Sequence, residues 1–152
     1  MDQTQYLSQE KLDELKKELY DLKSEGIPRI ANRIDEAKQM GDLSENAEYH
    51  AAKEEMAWAN SRVLELESIL ENAQVIQKTK SDTVILGSKV VVEVGGNELT
   101  FTIVGQQEAD PLEGKISNES PIGSALLGAK KGDTIHVQTP AGAREYSIKT
   151  VE

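Results

Sequence analysis

The chain contains no cysteine, which excludes disulfide frameworks, thiolate zinc sites and cysteine nucleophiles and fits a reducing compartment. Aromatic side chains are scarce, with one Phe, one Trp and four Tyr in 152 residues. No phosphate-cradling Gly-Lys-Ser/Thr loop, no histidine pair spaced for a metal on a helix and no serine elbow occurs, so machinery for self-sufficient catalysis is missing. The two histidines, His50 and His136, stand far apart and lack ligand spacing, which makes them surface or packing residues. No apolar run approaches the roughly 18 to 20 residues of a membrane span, and no basic-then-apolar leader opens the sequence, so a cytoplasmic protein with no membrane partner is expected. Positive charge is also in deficit: 17 Lys and Arg face 27 Asp and Glu, a net charge of −10. That is the wrong sign for gripping phosphates non-specifically, so any meeting with nucleic acid must be local or brokered by a partner. Up to residue 76 there are 9 basic and 17 acidic residues, and beyond it 8 and 10. The acidity belongs to the first half.

What is present falls into two periods. From Tyr49 the apolar positions run Tyr49, Ala52, Met56, Ala59, Val63, Leu66, Leu70 and Ala73, alternating steps of three and four as a heptad seam does. Lys53, Glu54, Glu55, Arg62, Glu65, Glu67 and Glu71 coat the other faces, giving a helix of about 28 residues, or about 42 Å. Upstream, Leu12, Leu15, Leu19 and Leu22 repeat the pattern, and Ile27, Ile30, Ile34 and Ala37 resume it after a slip. Gly26 and Pro28 sit at the slip, where proline's missing amide hydrogen predicts a kink or short break with Pro28 near a fresh helix start. A link of only Met40 to Asn46 forces the two seams to run antiparallel.

After Gln74 the period becomes two. Lys89 to Val94 and Leu99 to Val104 flank Gly95-Gly96-Asn97 as a β-hairpin, with the glycines read as turn residues. Ile135 to Gln138 and Glu145 to Ile148 flank the turn formers Thr139-Pro140-Ala141-Gly142 as a second. Between them Pro121 to Leu127 is a short apolar helix ended by Gly128. The fold class is α+β: an antiparallel coiled-coil hairpin over 1–77, a linker at 78–82, and a small α+β domain over 83–152.

Gly41-Asp42-Leu43-Ser44-Glu45-Asn46-Ala47-Glu48-Tyr49 places several acids at the far end of the hairpin. Two readings stand open. In one, Asp42 is the N-cap of the second helix and Glu45 completes a capping box at the positive end of the helix dipole. In the other, the i, i+3 carboxylates point to one side and offer themselves to a hard divalent cation. Magnesium suits that geometry, but two exposed acids alone hold it weakly, so another macromolecule must complete the site. Lys38 and Lys53 are either a solvated helix face or attractors of phosphate. Ser120, Pro121 and Ile122 read as a helix entry with proline in its first turn.

Glu36-Ala37-Lys38, the Gly41 to Tyr49 segment and Ala51-Ala52-Lys53-Glu54 together resemble the tip of the Gre transcript-cleavage factors, in their GreA branch. Asn72-Ala73-Gln74-Val75-Ile76 resembles the end of that family's second helix, and Ser120 to Gly123 with Leu127-Gly128 resembles its C-terminal, FKBP-like domain. The resemblance covers nearly the whole chain. It implies a monomeric factor whose hairpin enters the secondary channel of a backtracked RNA polymerase, so that the polymerase cuts its own transcript. By position it implies that Asp42 and Glu45 are the acidic pair that helps place a second Mg2+, shared with the polymerase. It also implies that Lys38, Lys53, Leu43, Ser44 and Asn46 lie toward the channel and the nascent RNA 3′ end, and that Ser120, Pro121 and Ile122 dock on the polymerase. Two rivals remain: a channel-binding inhibitor, and a coiled-coil adaptor or chaperone whose FKBP-like domain binds prolyl peptides. The second half of the chain has one Phe and no Trp, a poor supply for an aromatic prolyl pocket.

Overall fold

In a computed structural model, residues 3–77 and 80–152 are described; of the expected domain and linker, Met1, Asp2, Lys78 and Thr79 lie outside them. The chain divides into two compact units, Leu12–Asn72 and the pairing of Met1–Lys11 with Ala73–Glu152. Residues 3–11, expected within a helical segment over 1–77, thus group with the sheet.

The helical unit is the antiparallel hairpin that the two seams require. Helix α1 (Gln9–Asp21), a π-helical turn (Leu22–Gly26) and α2 (Ile27–Lys38) form one arm, and α3 (Ala47–Glu71) forms the other. Leu15, Ile30, Ala37, Ala52, Ala59, Leu66 and Ile69 are buried along the seam. Of the kink or short break expected at the slip, no break is present. The step from Leu22 to Ile27 is one residue longer than the seam allows, and the chain absorbs it by widening one turn: the Ile27 N–H bonds to the carbonyl of Leu22, five residues back. A π turn of this kind inserts a residue without interrupting the helix. Pro28 then falls in the first turn of α2, where a missing N–H costs little.

Ion pairs cross the seam on its flanks. Arg62 grips Glu18 with Nε at 2.7 Å and Nη2 at 2.9 Å, Lys23 pairs with Glu67, and Arg33 pairs with both Glu48 and Glu55. Each partly exposed pair contributes about 0 to 1 kcal/mol, against roughly 1.5 to 3 kcal/mol for each fully buried large aliphatic side chain. The seam supplies the stability and the pairs fix the register. Helix α3 is 25 residues long, not about 28, because the chain leaves the helix at Asn72 (φ −100°, ψ 9°) and runs on as a strand from Ala73. Ala73, expected as the last seam position, and the stretch likened to a helix end belong instead to a strand, β2 (Ala73–Val75), which pairs in parallel with β1 (Gln5–Leu7).

The second unit is a five-stranded sheet in the order β5-β4-β3-β7-β6, built from β3 (Lys89–Val94), β4 (Asn97–Val104), β5 (Lys115–Ser117), β6 (Thr134–Thr139) and β7 (Gly142–Val151). Both expected hairpins are present. The first closes on two residues and not three, because Gly95 and Gly96 both take positive φ and Asn97 already pairs with Val94. The short helix α4 (Pro121–Leu126) caps a core of Val84, Val90, Val92, Ile103, Leu126, Val137, Tyr146 and Ile148. The parallel strand β5 was not anticipated.

The β1 segment is stitched to this unit. Ser8 donates from its N–H (2.8 Å) and hydroxyl (2.6 Å) to the Glu108 carboxylate, and its Oγ accepts the Lys11 N–H at 3.1 Å. Gly105 lies so near the Tyr6 carbonyl that a Cβ on it would stand 1.8 Å from that oxygen. We therefore expect Gly105→Ala to lower stability by about 1–3 kcal/mol, the cost of overpacking a rigid contact. Chemical denaturation checks this, and an unchanged midpoint would disprove the close approach.

Candidate functional site

The closed end of the hairpin is built from the residues between Lys38 and Ala47. Helix α2 runs out with the Gln39 N–H on the Glu36 carbonyl (3.2 Å) and the Met40 N–H on that of Ala37 (3.1 Å). Gly41 then takes φ of 115°, a left-handed value that strains any residue with a Cβ. Past it the chain forms a single 3-10 turn, Leu43–Glu45, before Asn46 starts α3.

The capping reading therefore needs correcting in its detail. Asp42 caps the 3-10 turn and not the long helix: its Oδ1 accepts the Ser44 N–H at 3.0 Å and the Ser44 hydroxyl at 2.8 Å. The cap of α3 is Asn46, whose Oδ1 accepts the Tyr49 N–H at 3.0 Å. Glu45 makes no reciprocal bond. Among the described residues its carboxylate has no hydrogen-bond or ion-pair partner, and neither has Asp42 Oδ2. Asp42, with extended backbone, precedes the 3-10 turn and Glu45 ends it, so the two acids bracket one turn of chain. Both acids are exposed, and among the described residues three of their four carboxylate oxygens are unengaged.

The other anticipated residues are distributed around them. Leu43 is half-buried and Ser44 exposed, and Ser44 uses its N–H and hydroxyl on Asp42. Lys38, in the last turn of α2, and Lys53, on α3, are exposed and carry no ion pair among the described residues. Asn46 is half-buried, with Nδ2 donating to the Ala37 carbonyl at 3.0 Å while Oδ1 caps α3. His50, set aside in the sequence as a surface or packing residue, lies with Nε2 3.3 Å from the Ser44 carbonyl and its ring edge-on to Tyr49 at 5.6 Å. Nothing in its spacing pointed to this bracing contact. The Asn46 cap does have a signal, an Asn directly before a long apolar-periodic run, but the Asp-x-x-Glu pattern that starts four residues earlier matches a helix start equally well.

Ser120, Pro121 and Ile122 lie in the sheet unit. The Ser120 Oγ accepts the Gly123 N–H at 3.0 Å and donates to the Ser117 carbonyl at 2.7 Å, so its hydroxyl caps α4. Pro121 and Ile122 line an apolar groove of about 370 Å³ with Pro111, Ile116, Val137 and Pro140. No aromatic ring lines it among the described residues.

Both hydrogen bonds from Ser44 hold the Asp42 carboxyl below the usual aspartate value, the hydroxyl more than the backbone N–H. A depressed value means that the charged form is favoured in the folded state. The contribution is present above the unfolded pKa and is lost as pH falls through the folded one, so Asp42 is fully ionised at neutral pH. No group of three or more His, Asp or Glu side chains converges as a metal cage among the described residues. The donor set is two hard carboxylates, which fits part of a magnesium shell and not a whole one.

Comparisons with known proteins agree along the whole chain. The sequence model described as the transcription elongation factor N-terminal domain matches residues 5–75, and that of the GreA/GreB transcription elongation factor C-terminal domain matches residues 78–152. The transcription elongation factor GreA of Thermotoga petrophila is 46% identical over 148 residues, which is 95% of both chains. That of a Roseiflexus species is 44% identical over 155 residues, 99% of both. Among solved structures, the GreA factor homolog 1 protein of Thermus thermophilus is 29% identical over 99% of both chains, with a TM-score of 0.46.

The Asp42 environment carries its own test. Replacing Ser44 with Ala removes the larger of the two bonds, so the Asp42 carboxyl carbon, followed by NMR through an acid titration, should titrate at higher pH in Ser44→Ala than in the parent. Coincident titration curves would show that the hydroxyl bond does not form.

Proposed function

The chain belongs to the GreA/GreB transcription elongation factors, and from that premise we propose how it acts: the closed end of the hairpin enters RNA polymerase and promotes cleavage of a backtracked transcript. The observation that supports this reading is the exposed 3-10 turn at the tip, which Asp42 caps and Glu45 ends, with the Glu45 carboxylate unengaged among the described residues.

Asp42 and Glu45 are the two residues that would hold a magnesium ion, together with ligands from the polymerase and the RNA. Such an ion, when bound, steadies an attacking or leaving oxygen in two-metal phosphodiester cleavage. The protein's own residues do the rest. Ser44 orients Asp42 through Oδ1 and keeps it charged, which leaves Oδ2 to face outward ligands. Lys38 and Lys53, unpaired and flanking the tip in sequence, offer positive charge to a phosphate or to the displaced RNA 3′ end. Leu43 supplies an apolar contact to the channel wall.

A 25-residue α3 gives the hairpin about 38 Å of length at 1.5 Å per residue, enough to carry the tip deep into a partner. The apolar groove beside Pro121 and Ile122 supports a docking role for that end of α4, and its lack of aromatic lining leaves little support for a prolyl-peptide pocket. No helix among the described residues is long and apolar enough to cross a membrane. A monomer working in the cytoplasm completes the reading.

Asp42→Asn with Glu45→Gln is expected to keep the fold, because amides still accept the capping hydrogen bonds, and to abolish transcript cleavage in stalled elongation complexes. Unaltered helix content by circular dichroism is the control. Cleavage at the parent rate by the double variant would reduce the acidic pair to a helix-capping role. The isolated protein in magnesium buffer is expected to leave RNA intact, and degradation in the absence of polymerase would refute the helper mechanism.

A further inference from the structure

Within the loop that joins the two arms, most hydrogen bonds are local. Those of Gln39 and Met40 continue α2, the Asp42 and Ser44 bonds lie inside the 3-10 turn, and the Asn46 N–H reaches only the Leu43 carbonyl at a long 3.4 Å. Gly41, with φ of 115° and nothing within 4 Å of where a Cβ would stand, leaves the segment a soft pivot. Two side-chain ties close it: His50 Nε2, 3.3 Å from the Ser44 carbonyl, holds the turn to α3, and the Asn46 amide is the one that reaches across to α2. Asn46 accepts the Tyr49 N–H on one atom and donates to the Ala37 carbonyl on the other, each at 3.0 Å. Ala37 is the last buried position of α2, 1% exposed, and its carbonyl, which already accepts the Met40 N–H at 3.1 Å, has a second lone pair for the Asn46 amide because the helix ends before a regular i+4 donor can take it.

A short amide with two side-chain torsions loses little freedom in making both bonds, whereas the nearby crossing ties, from Arg33 to Glu48 and Glu55, use long and partly exposed side chains worth little on their own. Resting on the reading of the tip given above, we infer that Asn46 is a positioning residue: by joining the last turn of α2 to the first turn of α3 it fixes where Asp42 and Glu45 stand. It acts through the loop and not by touching RNA or polymerase, since its oxygen and nitrogen are both engaged inside the hairpin.

The test separates the two bonds. Asn46→Asp keeps an oxygen for the Tyr49 N–H, so α3 remains capped, but replaces the donor facing Ala37 with an acceptor. Asn46→Ser likewise caps without reaching Ala37, and serves if the aspartate variant misfolds. Because the chain has no cysteine, a nitroxide on Leu43→Cys reports the mobility of the turn in the free protein. The expected result is a more mobile label and a maximal cleavage rate about ten- to a hundredfold lower, the scale at which small misplacements act. The factor concentration giving half-maximal cleavage should stay unchanged. Full cleavage rate in the variants overturns the inference, whatever the label shows. A lowered rate with an unmoved label also overturns it, by making Asn46 a direct contact. If the parent protein itself promotes no cleavage, the functional reading fails, while the label still decides whether Asn46 orders the turn.

Discussion

Mutual burial of two apolar seams is the constraint from which the helical unit follows. Neither arm has enough local apolar surface to hold itself, since an isolated helix gains most of its stability from packing. The seam of α3 runs without a miss from Tyr49 to Leu70, and the facing arm must present apolar residues in phase with it all the way. The five-residue step from Leu22 to Ile27 threatens that phase, because in a regular α-helix it would rotate Ile27, Ile30, Ile34 and Ala37 away from the partner by about 100°, one residue's turn at 3.6 residues per turn. One wide turn restores the phase. Buried Gly26 sits within it, where a Cβ would come to 3.1 Å from Leu22 Cδ1, so the small residue and the wide turn belong together.

The same burial explains why the tip can be chemically extravagant. Acids that would repel one another in a compact domain stand at the end of a stiff pair of helices, where nothing else needs the space. The turn that carries them is shaped by hydrogen bonds from within nine residues: Ser44 donates to Asp42, Asn46 donates to the Ala37 carbonyl and accepts the Tyr49 N–H, and His50 Nε2 meets the Ser44 carbonyl. A long-range fold delivers the tip, and short-range capping shapes it.

What was legible beforehand divides along the same line. Periodicity repeated over many turns was readable, so the hairpin, its antiparallel sense and the residues Leu15, Ile30, Ala52, Ala59 and Leu66 in its core emerged from spacing alone. Ile69 did not, since a buried residue next to Leu70 is indistinguishable from an off-seam one until the second arm is in place. The two β-hairpins were readable because their turns and alternation are local. Strands β1, β2 and β5 were not, since three residues each are too few to show a period and their partners are set by tertiary packing. At the tip the spacing places both acids on the loop between the arms, and the structure has Asp42 capping and Glu45 ending one exposed 3-10 turn. Their caps were misassigned, because Asp42-x-x-Glu45 matches a helix start as well as Asn46 does, and only the left-handed Gly41 and the 3-10 turn show which residue begins α3.

The pairing of Gln5 with Ala73 and of Leu7 with Val75 makes the hairpin an excursion from a sheet unit that starts before it and resumes after it. On a ribosome the leading strand therefore emerges with no partner and must wait while the whole coiled coil is made. The coil, rich in near-neighbour contacts, is suited to fold early, and by doing so it returns the later strand to the side of the earlier one. The arm that reaches into another machine also serves, once, as the scaffold on which its own base is assembled.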